Sequence, residues 1–251
     1  MQAFEPRLTA DLSRRWPGSV TEVLAHDPRR AWLLLADAGT AIAKLANSPE
    51  IWLQALPRYA ELQRGEVDHV PEHLAHGVPD LRVRQLPAAY AQLLGLDLPL
   101  EAGEMARLRA FEPEFGHLCA ALADEHPVAS IQHDDLHLWN LFVNGPDIRV
   151  IDWGDSSIGD PFWSLFVTFR FLEQVNGLQP GDPWFARLRD AYLEPWGPGF
   201  TDTFDHALRV GAFAHAIASM RGRVALRGRE QLLFDQDFGL ILRRALAGIS
   251  G

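Results

Sequence analysis

The apolar positions near the start of the chain follow first a helical and then a strand-like pattern. Helical spacing predicts a short helix over Glu5–Arg15. Two strand-like runs follow, Val20–Ala25 and Ala31–Ala36, and the turn-forming residues 26–30 between them predict a β-hairpin. Because a two-stranded sheet is marginal in water, we expect its exposed edge at Val20–Ala25 to pair with another chain, as in a homodimer, or to be partly disordered.

Beyond this hairpin the pattern is mainly helical. Residues 37–40 (Asp-Ala-Gly-Thr) break the second strand and indicate a hinge. The predicted organisation is therefore a small β-containing part, residues 1–40, and a helical body, residues 41–251. Within the body we predict one long helix at 49–64, a proline- and histidine-rich loop at 65–86, separate helices at 102–111 and 114–124, and further helices towards the end.

One stretch of the helical body, residues 133–160, instead combines β-rich runs with polar side chains. Asn144-Gly145 between two such runs predicts a hairpin, because Asn and Gly tolerate the positive φ of a tight turn. A hairpin brings its outer ends together, so Asp135 and Asn140 should lie near Asp152. Two carboxylates and an amide oxygen are hard ligands that suit Mg²⁺.

The spacing of these residues is that of a phosphoryl-transfer site. Asp135 and Asn140 form D-x-x-x-x-N, and Asp152 begins D-x-G. In such a site a carboxylate orients the acceptor hydroxyl and accepts its proton, which is the role predicted for Asp135. Asn140 and Asp152 are the predicted Mg²⁺ ligands.

Two motifs resemble those of a known group of small-molecule kinases. The run HDDLHLWN, from His133 to Asn140, resembles the H-G-D-x-H-x-x-N motif of the aminoglycoside phosphotransferase and choline kinase group. The runs IDWGD and GDP, at 151–155 and 159–161, resemble that group's I-D-[WF]-x-[DE] and G-D-P. Protein kinases usually have Lys where this chain has His137, which favours a small-molecule kinase.

The resemblance implies an α+β, protein-kinase-like fold. It has a reduced N-terminal β lobe and a mainly helical C-terminal lobe that contains the catalytic hairpin. The implied cofactors are ATP (or GTP) and Mg²⁺, and the implied partners are the nucleotide and a small molecule with a hydroxyl acceptor.

The resemblance also suggests roles for further residues. The adenine ring would bind hinge backbone at Ala36, Asp37 and Ala38. His133 and His137 would support the catalytic loop by hydrogen bonds. Asp155 would be a second metal or loop carboxylate, with a solvated turn residue as the alternative.

The sequence departs from the motifs of this group at several points. Asp134 replaces a glycine, and Ser164 stands where P-x-x-D-L has Asp. There is no G-x-G-x-x-G loop, and Lys44, the one lysine, follows the hinge. A pseudokinase-like or truncated binding module is therefore an alternative function. A metal-dependent hydrolase using His133 and His137 is a third.

Composition narrows the class of protein. A net charge of -10 and a pI near 5.4 argue against a nucleic-acid partner. No apolar run approaches the length of a membrane span. The single cysteine, Cys119, fits a reducing cytoplasm, since no disulfide can form within the chain.

Overall fold

The computed structural model of the chain describes residues 2–45, 48–126 and 128–250, and for residues 222–225 and 250 it describes the backbone alone. The chain divides into two compact units. The first comprises residues 1–80 and 129–201, and the second comprises residues 81–128 and 202–251.

Helices and small antiparallel sheets make up the regular structure. The helices are α1 (Glu5–Arg15), α2 (Trp52–Gly65), α3 (Val70–His76), α4 (Leu86–Leu94), α5 (Ala102–Glu125), α6 (Leu165–Asn176), α7 (Pro183–Leu193), α8 (Thr201–Ala225) and α9 (Gly228–Ala247). The strands are β1 (Val23–Asp27), β2 (Trp32–Leu35), β3 (Thr40–Ala41), β4 (Ser130–Gln132), β5 (Leu141–Asn144), β6 (Asp147–Val150) and β7 (Ser157–Gly159). This mixture confirms the predicted α+β class.

Three antiparallel sheets lie in the first unit. They are the hairpin β1–β2, the sheet β3–β5–β6 and the pair β4–β7. The hairpin confirms the prediction from the first apolar runs, although its strands begin later along the chain than predicted. Within the described residues β2 pairs with β1 alone. The side chains of Leu24, Trp32 and Leu34 are more than half exposed on this hairpin.

Two helix predictions were wrong. The predicted loop 65–86 contains α3, which has proline in its first turn and ends at Gly77 in the left-handed conformation. The two helices predicted on either side of Pro113 are one helix, α5. Proline removes one backbone donor, but α5 buries an apolar face that includes Phe111 and Phe115, and this packing outweighs the local penalty.

A buried polar network joins α2 to β4 in the first unit. Ser164 Oγ accepts a hydrogen bond from Gln63 Nε2 at 2.9 Å and donates to Gln132 Oε1. It also lies 3.2 Å from Tyr59 Oη, which accepts a hydrogen bond from the backbone N–H of His133 at 3.0 Å. Ser164 thus makes structural hydrogen bonds at the position where the related motif has Asp. The network fixes the start of the loop that holds Asp135.

Helix α1 is anchored to the same unit through a buried carboxylate. Glu66 accepts two hydrogen bonds from the Arg15 guanidinium, at 2.8 and 2.7 Å, and one from Trp16 Nε1 at 2.6 Å. His73 Nε2 lies 2.7 Å from Oε2 of the Glu66 carboxylate. Burial alone would raise the pKa of Glu66, but the hydrogen bonds from His73, Arg15 and Trp16 lower it to about 2.

Gly39 allows the chain to pass closely over β5 before β3 begins. Its φ is +105°, and a Cβ at this position would lie 2.2 Å from the carbonyl oxygen of Val143. No side chain fits so close to a backbone carbonyl. Glycine is therefore required at this point of the predicted hinge.

The second unit is helical and has an aromatic centre. Tyr90 packs against Phe115 with ring centroids 4.7 Å apart, and Phe111 stacks on Phe213 at 5.0 Å. Cys119 is buried here, and burial raises the pKa of its thiol to about 12. The thiol is therefore protonated at neutral pH, as expected of a core residue rather than a nucleophile.

Of the helices that the structure describes, none is both long enough and apolar enough to cross a membrane.

We expect Gly39→Ala to destabilise the chain more than Gly77→Ala. Both glycines have positive φ, but a Cβ at Gly77 would meet nothing within 4 Å. The cost of a positive φ is common to both variants. The additional loss in Gly39→Ala therefore measures the clash with Val143, and it should be about 1–3 kcal/mol in the free energy of unfolding. Urea denaturation measures it, and equal losses in the two variants would contradict the steric argument.

We expect the Glu66 network to make stability sensitive to acid. Because the pKa of Glu66 in the folded chain is about 2, below its ordinary value of 4.5, its stabilising contribution is present above pH 4.5. That contribution is lost as the pH falls from 4.5 towards 2. Glu66→Gln should lower the free energy of unfolding at neutral pH by about 3–5 kcal/mol and flatten this acid dependence. Glu61→Gln, at an exposed position of α2, is the matched control, and equal effects of the two variants would refute the prediction.

Candidate active site

The β5–β6 hairpin brings together the residues that the sequence analysis expected to meet. Leu141 pairs with Val150, and the tight turn contains Gly145 at φ +61°. At the open end, the N–H of Ile151 donates to the carbonyl of Asn140 at 3.0 Å. Asn140 and Asp152 therefore lie at the same end of the hairpin, as predicted.

Asp135 is oriented by two neighbouring side chains. Asn140 Nδ2 donates to Asp135 Oδ2 at 3.2 Å and to the Asp135 carbonyl at 3.0 Å. His137 Nε2 also lies 3.2 Å from Asp135 Oδ2. The Asp135 side chain remains 33% exposed, so a small molecule can reach its carboxylate.

The hydrogen bonds of His137 fix which nitrogen has the proton in the neutral ring. Its Nδ1 accepts the backbone N–H of Trp139 at 3.3 Å, so the ring proton is on Nε2 and points at Asp135. The ring also packs on Phe171, with centroids 4.5 Å apart. His137 therefore holds the Asp135 carboxylate as a hydrogen-bond donor.

His133 connects the Asp135 loop to the residue before Asp152. It is fully buried, and burial lowers its pKa, which keeps the ring neutral. Nδ1 accepts the N–H of Asp135 at 3.3 Å, and Nε2 donates to the carbonyl of Ile151 at 2.8 Å. The ring also contacts Trp153, with centroids 5.0 Å apart.

The hydrogen bonds of His133 and His137 can be compared with what the alternative function, a zinc-dependent hydrolase, would require. Both rings use their nitrogens for hydrogen bonds within the protein. Over the described ranges, the one group of three His, Cys, Asp or Glu side chains with converging ligand atoms is Asp11, Glu72 and His76. It includes neither His133 nor His137, so this arrangement does not favour a zinc centre there.

Two aspartates of the site have backbones in the left-handed region. Asp134 has φ +60° and Asp152 has φ +64°. This explains why the related motif has glycine at the position of Asp134, since Asp is one of the few other residues that tolerate this conformation. Ser157 Oγ donates to Asp134 Oδ2, which helps to hold it.

The metal-ligand candidates have oxygens available. Asn140 uses its Nδ2 on Asp135, and its Oδ1 accepts no hydrogen bond from the described residues. The Asp152 side chain is exposed and makes no hydrogen bond in the part of the chain that is described. An amide oxygen and a carboxylate that are both unengaged fit Mg²⁺. Asp155, also exposed, follows in a short 3₁₀ turn, and its role stays a prediction.

One carboxylate of this region, that of Glu5, was not predicted from the sequence. Glu5 begins α1 and is only 5% exposed. A Cβ placed on Gly154 would lie 3.0 Å from Glu5 Oε2 and 3.7 Å from Asp152 Oδ1. Burial, followed by repulsion from Asp152, raises the pKa of Glu5 to about 7, while the positive chain terminus acts in the opposite direction. No sequence signal pointed here, because an acidic residue in a first helical turn is ordinary.

The predicted nucleotide-binding residues lie between β2 and β3. The N–H of Ala36 donates to the carbonyl of Glu22 at 2.9 Å, so it is already used. Asp37 accepts the N–H of Gly39 at 2.9 Å through Oδ1 and Arg149 Nη1 at 3.4 Å through its carbonyl. The adenine contacts of Ala36, Asp37 and Ala38 remain predictions.

Solved structures show the same fold. A choline/ethanolamine kinase family protein from Mesorhizobium loti matches 99% of this chain and 83% of its own, with a TM-score of 0.59 and 17% identity. An ethanolamine kinase from Plasmodium vivax matches 98% of this chain and 72% of its own, with a TM-score of 0.68 and 12% identity. These likenesses confirm the protein-kinase-like fold with a reduced β lobe. No curated protein shows a significant sequence match.

Family membership rests on the sequence itself. The sequence model of the phosphotransferase enzyme family matches residues 12–204, which is more than half of the chain. The matched range contains both motifs and every predicted site residue. This confirms the membership inferred from the motifs: the chain belongs to the phosphotransferase enzyme family.

Proposed function

We propose that the chain transfers the γ-phosphoryl group of ATP or GTP, with Mg²⁺, to a hydroxyl group of a small molecule. The observation that supports this most is the Asp135 carboxylate. It is held by Asn140 and His137, is open to solvent, and lies on the loop that His133 joins to Asp152. Membership of the phosphotransferase family agrees with this chemistry.

Asp135 is the proposed base. Its carboxylate accepts the proton of the substrate hydroxyl while that oxygen forms a bond to the γ-phosphorus. The bond from the γ-phosphorus to the bridging oxygen breaks, and the nucleoside diphosphate leaves with that oxygen. The hydrogen bond from His137 keeps Asp135 in position as its charge changes.

Asn140 Oδ1 and the Asp152 carboxylate are the proposed ligands of the metal. When bound, Mg²⁺ neutralises the developing charge on the phosphate oxygens. At the other end of the nucleotide, we assign the base to hinge backbone at Asp37 and Ala38 and to the carbonyl of Ala36, since the N–H of Ala36 is occupied. In this proposal residues 1–40 correspond to the nucleotide-side lobe and residues 41–251 to the acceptor-side lobe.

The structural relatives suggest which acceptors to test first. They are a choline/ethanolamine kinase family protein and an ethanolamine kinase, so small amino alcohols are the first candidates. The chain's net charge of -10 is compatible with a cationic acceptor. We place the reaction in the cytoplasm, where nucleotides are abundant and the single cysteine stays reduced.

A binding module without catalysis is the alternative. It was raised by the departures from the kinase motifs, and the family match and the structural relatives do not favour it. Lys44 follows the hinge and is exposed. Nucleotide binding without turnover of any acceptor would support this alternative.

We expect Asp135→Asn to lower turnover by about 10²–10⁴-fold, because the amide cannot accept the hydroxyl proton. The assay measures nucleoside diphosphate release with the full chain, Mg²⁺, and a panel of alcohols that includes choline and ethanolamine. Asp68→Asn, at an exposed position of the same unit, is the control and should retain activity. Wild-type turnover in Asp135→Asn would remove Asp135 from the role of base.

We also propose a homodimer through the exposed β1–β2 hairpin. Leu24, Trp32 and Leu34 leave apolar area in water, and the sheet has free strand edges within the described residues. Leu24→Lys should therefore shift the chain towards monomer in sedimentation velocity. The control Leu232→Lys changes an exposed leucine of α9, and a wild-type chain that is monomeric at all concentrations would contradict the dimer.

A further inference from the structure

Glu5 is a buried carboxylate in the first turn of α1. It is 5% exposed, yet its carboxylate takes part in no hydrogen bond or ion pair with the described residues. A buried charge normally has a counter-charge or several donors. Glu66, at the other end of the α1 contacts, shows the ordinary arrangement, since its carboxylate is bound by Arg15, Trp16 and His73.

The surroundings of Glu5 are acidic. Both Glu5 Oε2 and Asp152 Oδ1 lie within 4 Å of the point where a Gly154 Cβ would be. Asp155 also acts on Glu5 through its negative charge. Residues 152–155 and the start of α1 thus bring like charges together, which is unfavourable unless Glu5 takes up a proton or a cation lies among them.

Gly154 permits this approach. Because glycine has no Cβ, the Glu5 carboxylate can lie against the backbone between the two aspartates. A Cβ at residue 154 would lie 3.0 Å from Glu5 Oε2, so the carboxylate would have to shift by a few tenths of an ångström. The glycine of the D-x-G motif therefore leaves space for a carboxylate from helix α1.

Helix α1 holds Glu5 in place from its other end. Arg15 is bound to Glu66 through two hydrogen bonds, and Asp11 Oδ2 lies 2.7 Å from His76 Nε2. Leu8 and Leu12, on the buried face of the helix, are fully buried. Glu5 is thus presented by a packed helix rather than by a loop, which suits a ligand of fixed position.

We propose that Glu5 is a third protein ligand of the divalent cation that Asn140 and Asp152 bind. The inference rests on the proposed function for the location of that cation. Mg²⁺ and Mn²⁺ prefer oxygen ligands and keep several waters, so one amide oxygen and two carboxylates are a suitable protein share. Bound there, the cation offsets the repulsion that Asp152 and Asp155 exert on Glu5, in addition to the effect of the positive chain terminus.

The test measures Mn²⁺ binding to the full chain without nucleotide or acceptor. The electron paramagnetic resonance signal of free Mn²⁺ falls as the ion binds, at a mildly alkaline pH where Glu5 is ionised. We expect Glu5→Gln to weaken Mn²⁺ binding by about tenfold or more, and Asp152→Asn to weaken it at least as much. Glu61→Gln is the matched control and should bind like the wild type.

A second measurement separates lost binding from lost folding. Without metal, Glu5→Gln should be at least as heat-stable as the wild type, because it removes a buried unpaired charge. Mn²⁺ should then raise the melting temperature of the wild type more than that of Glu5→Gln. Glu5→Asp keeps the charge but withdraws it by one methylene, so its affinity should fall between the two.

The outcomes separate this inference from the proposed function. Wild-type Mn²⁺ affinity in Glu5→Gln, or no Mn²⁺ binding by the wild type, overturns the role of Glu5. Binding that depends on Glu5 supports it even if no acceptor is ever phosphorylated, a result that would count against the phosphotransferase activity alone.

Discussion

The geometry of the candidate site depends on one buried imidazole. His133 accepts the N–H of Asp135 on one nitrogen and donates to the carbonyl of Ile151 from the other. Only the neutral ring can do both, and burial keeps it neutral by lowering its pKa. The proposed base on one loop and the proposed metal ligand Asp152 on the next are thereby held in a fixed relation at the open end of the β5–β6 hairpin.

This imidazole is itself held by polar groups that have no access to water. Tyr59 Oη binds the His133 N–H, and the hydroxyl of Ser164 joins Tyr59 to Gln63 and Gln132. Buried polar groups are expensive to leave unpaired, so each member restricts the positions of the others. A serine can replace an aspartate in this network because the position requires a hydrogen-bonding oxygen, which the hydroxyl supplies without a buried charge.

The acidic end of the site, around Glu5 and Asp152, lacks such a network of paired polar groups among the described residues. Glu5 and Asp152 both have an oxygen within 4 Å of the point where a Gly154 Cβ would be, and neither is neutralised by a described side chain. This acidic arrangement, with Asp152 exposed and Glu5 buried, is the observation on which the proposed cation site rests. Family membership and this charge distribution are separate observations, and both support the proposed metal-dependent phosphoryl transfer.

The features that were predicted correctly are those that depend on residues close together in the sequence. The α1 helix, the two hairpins and the convergence of Asn140 and Asp152 follow from patterns within a few residues, namely apolar period, turn residues and the alternation of short strands. Motif spacing identified the family for the same reason, because Asp135, Asn140 and Asp152 are close along the chain.

Tertiary structure decided what depends on distant partners. Helix α3 forms in a segment rich in proline and histidine because His73 is buried against Glu66, and α5 continues through Pro113 because its apolar face is buried. The sequence around Glu5 describes only the first turn of a helix. Its place beside Asp152 arises when α1 packs on the unit through Leu8, Leu12 and Arg15, and no pattern along the chain encodes that contact.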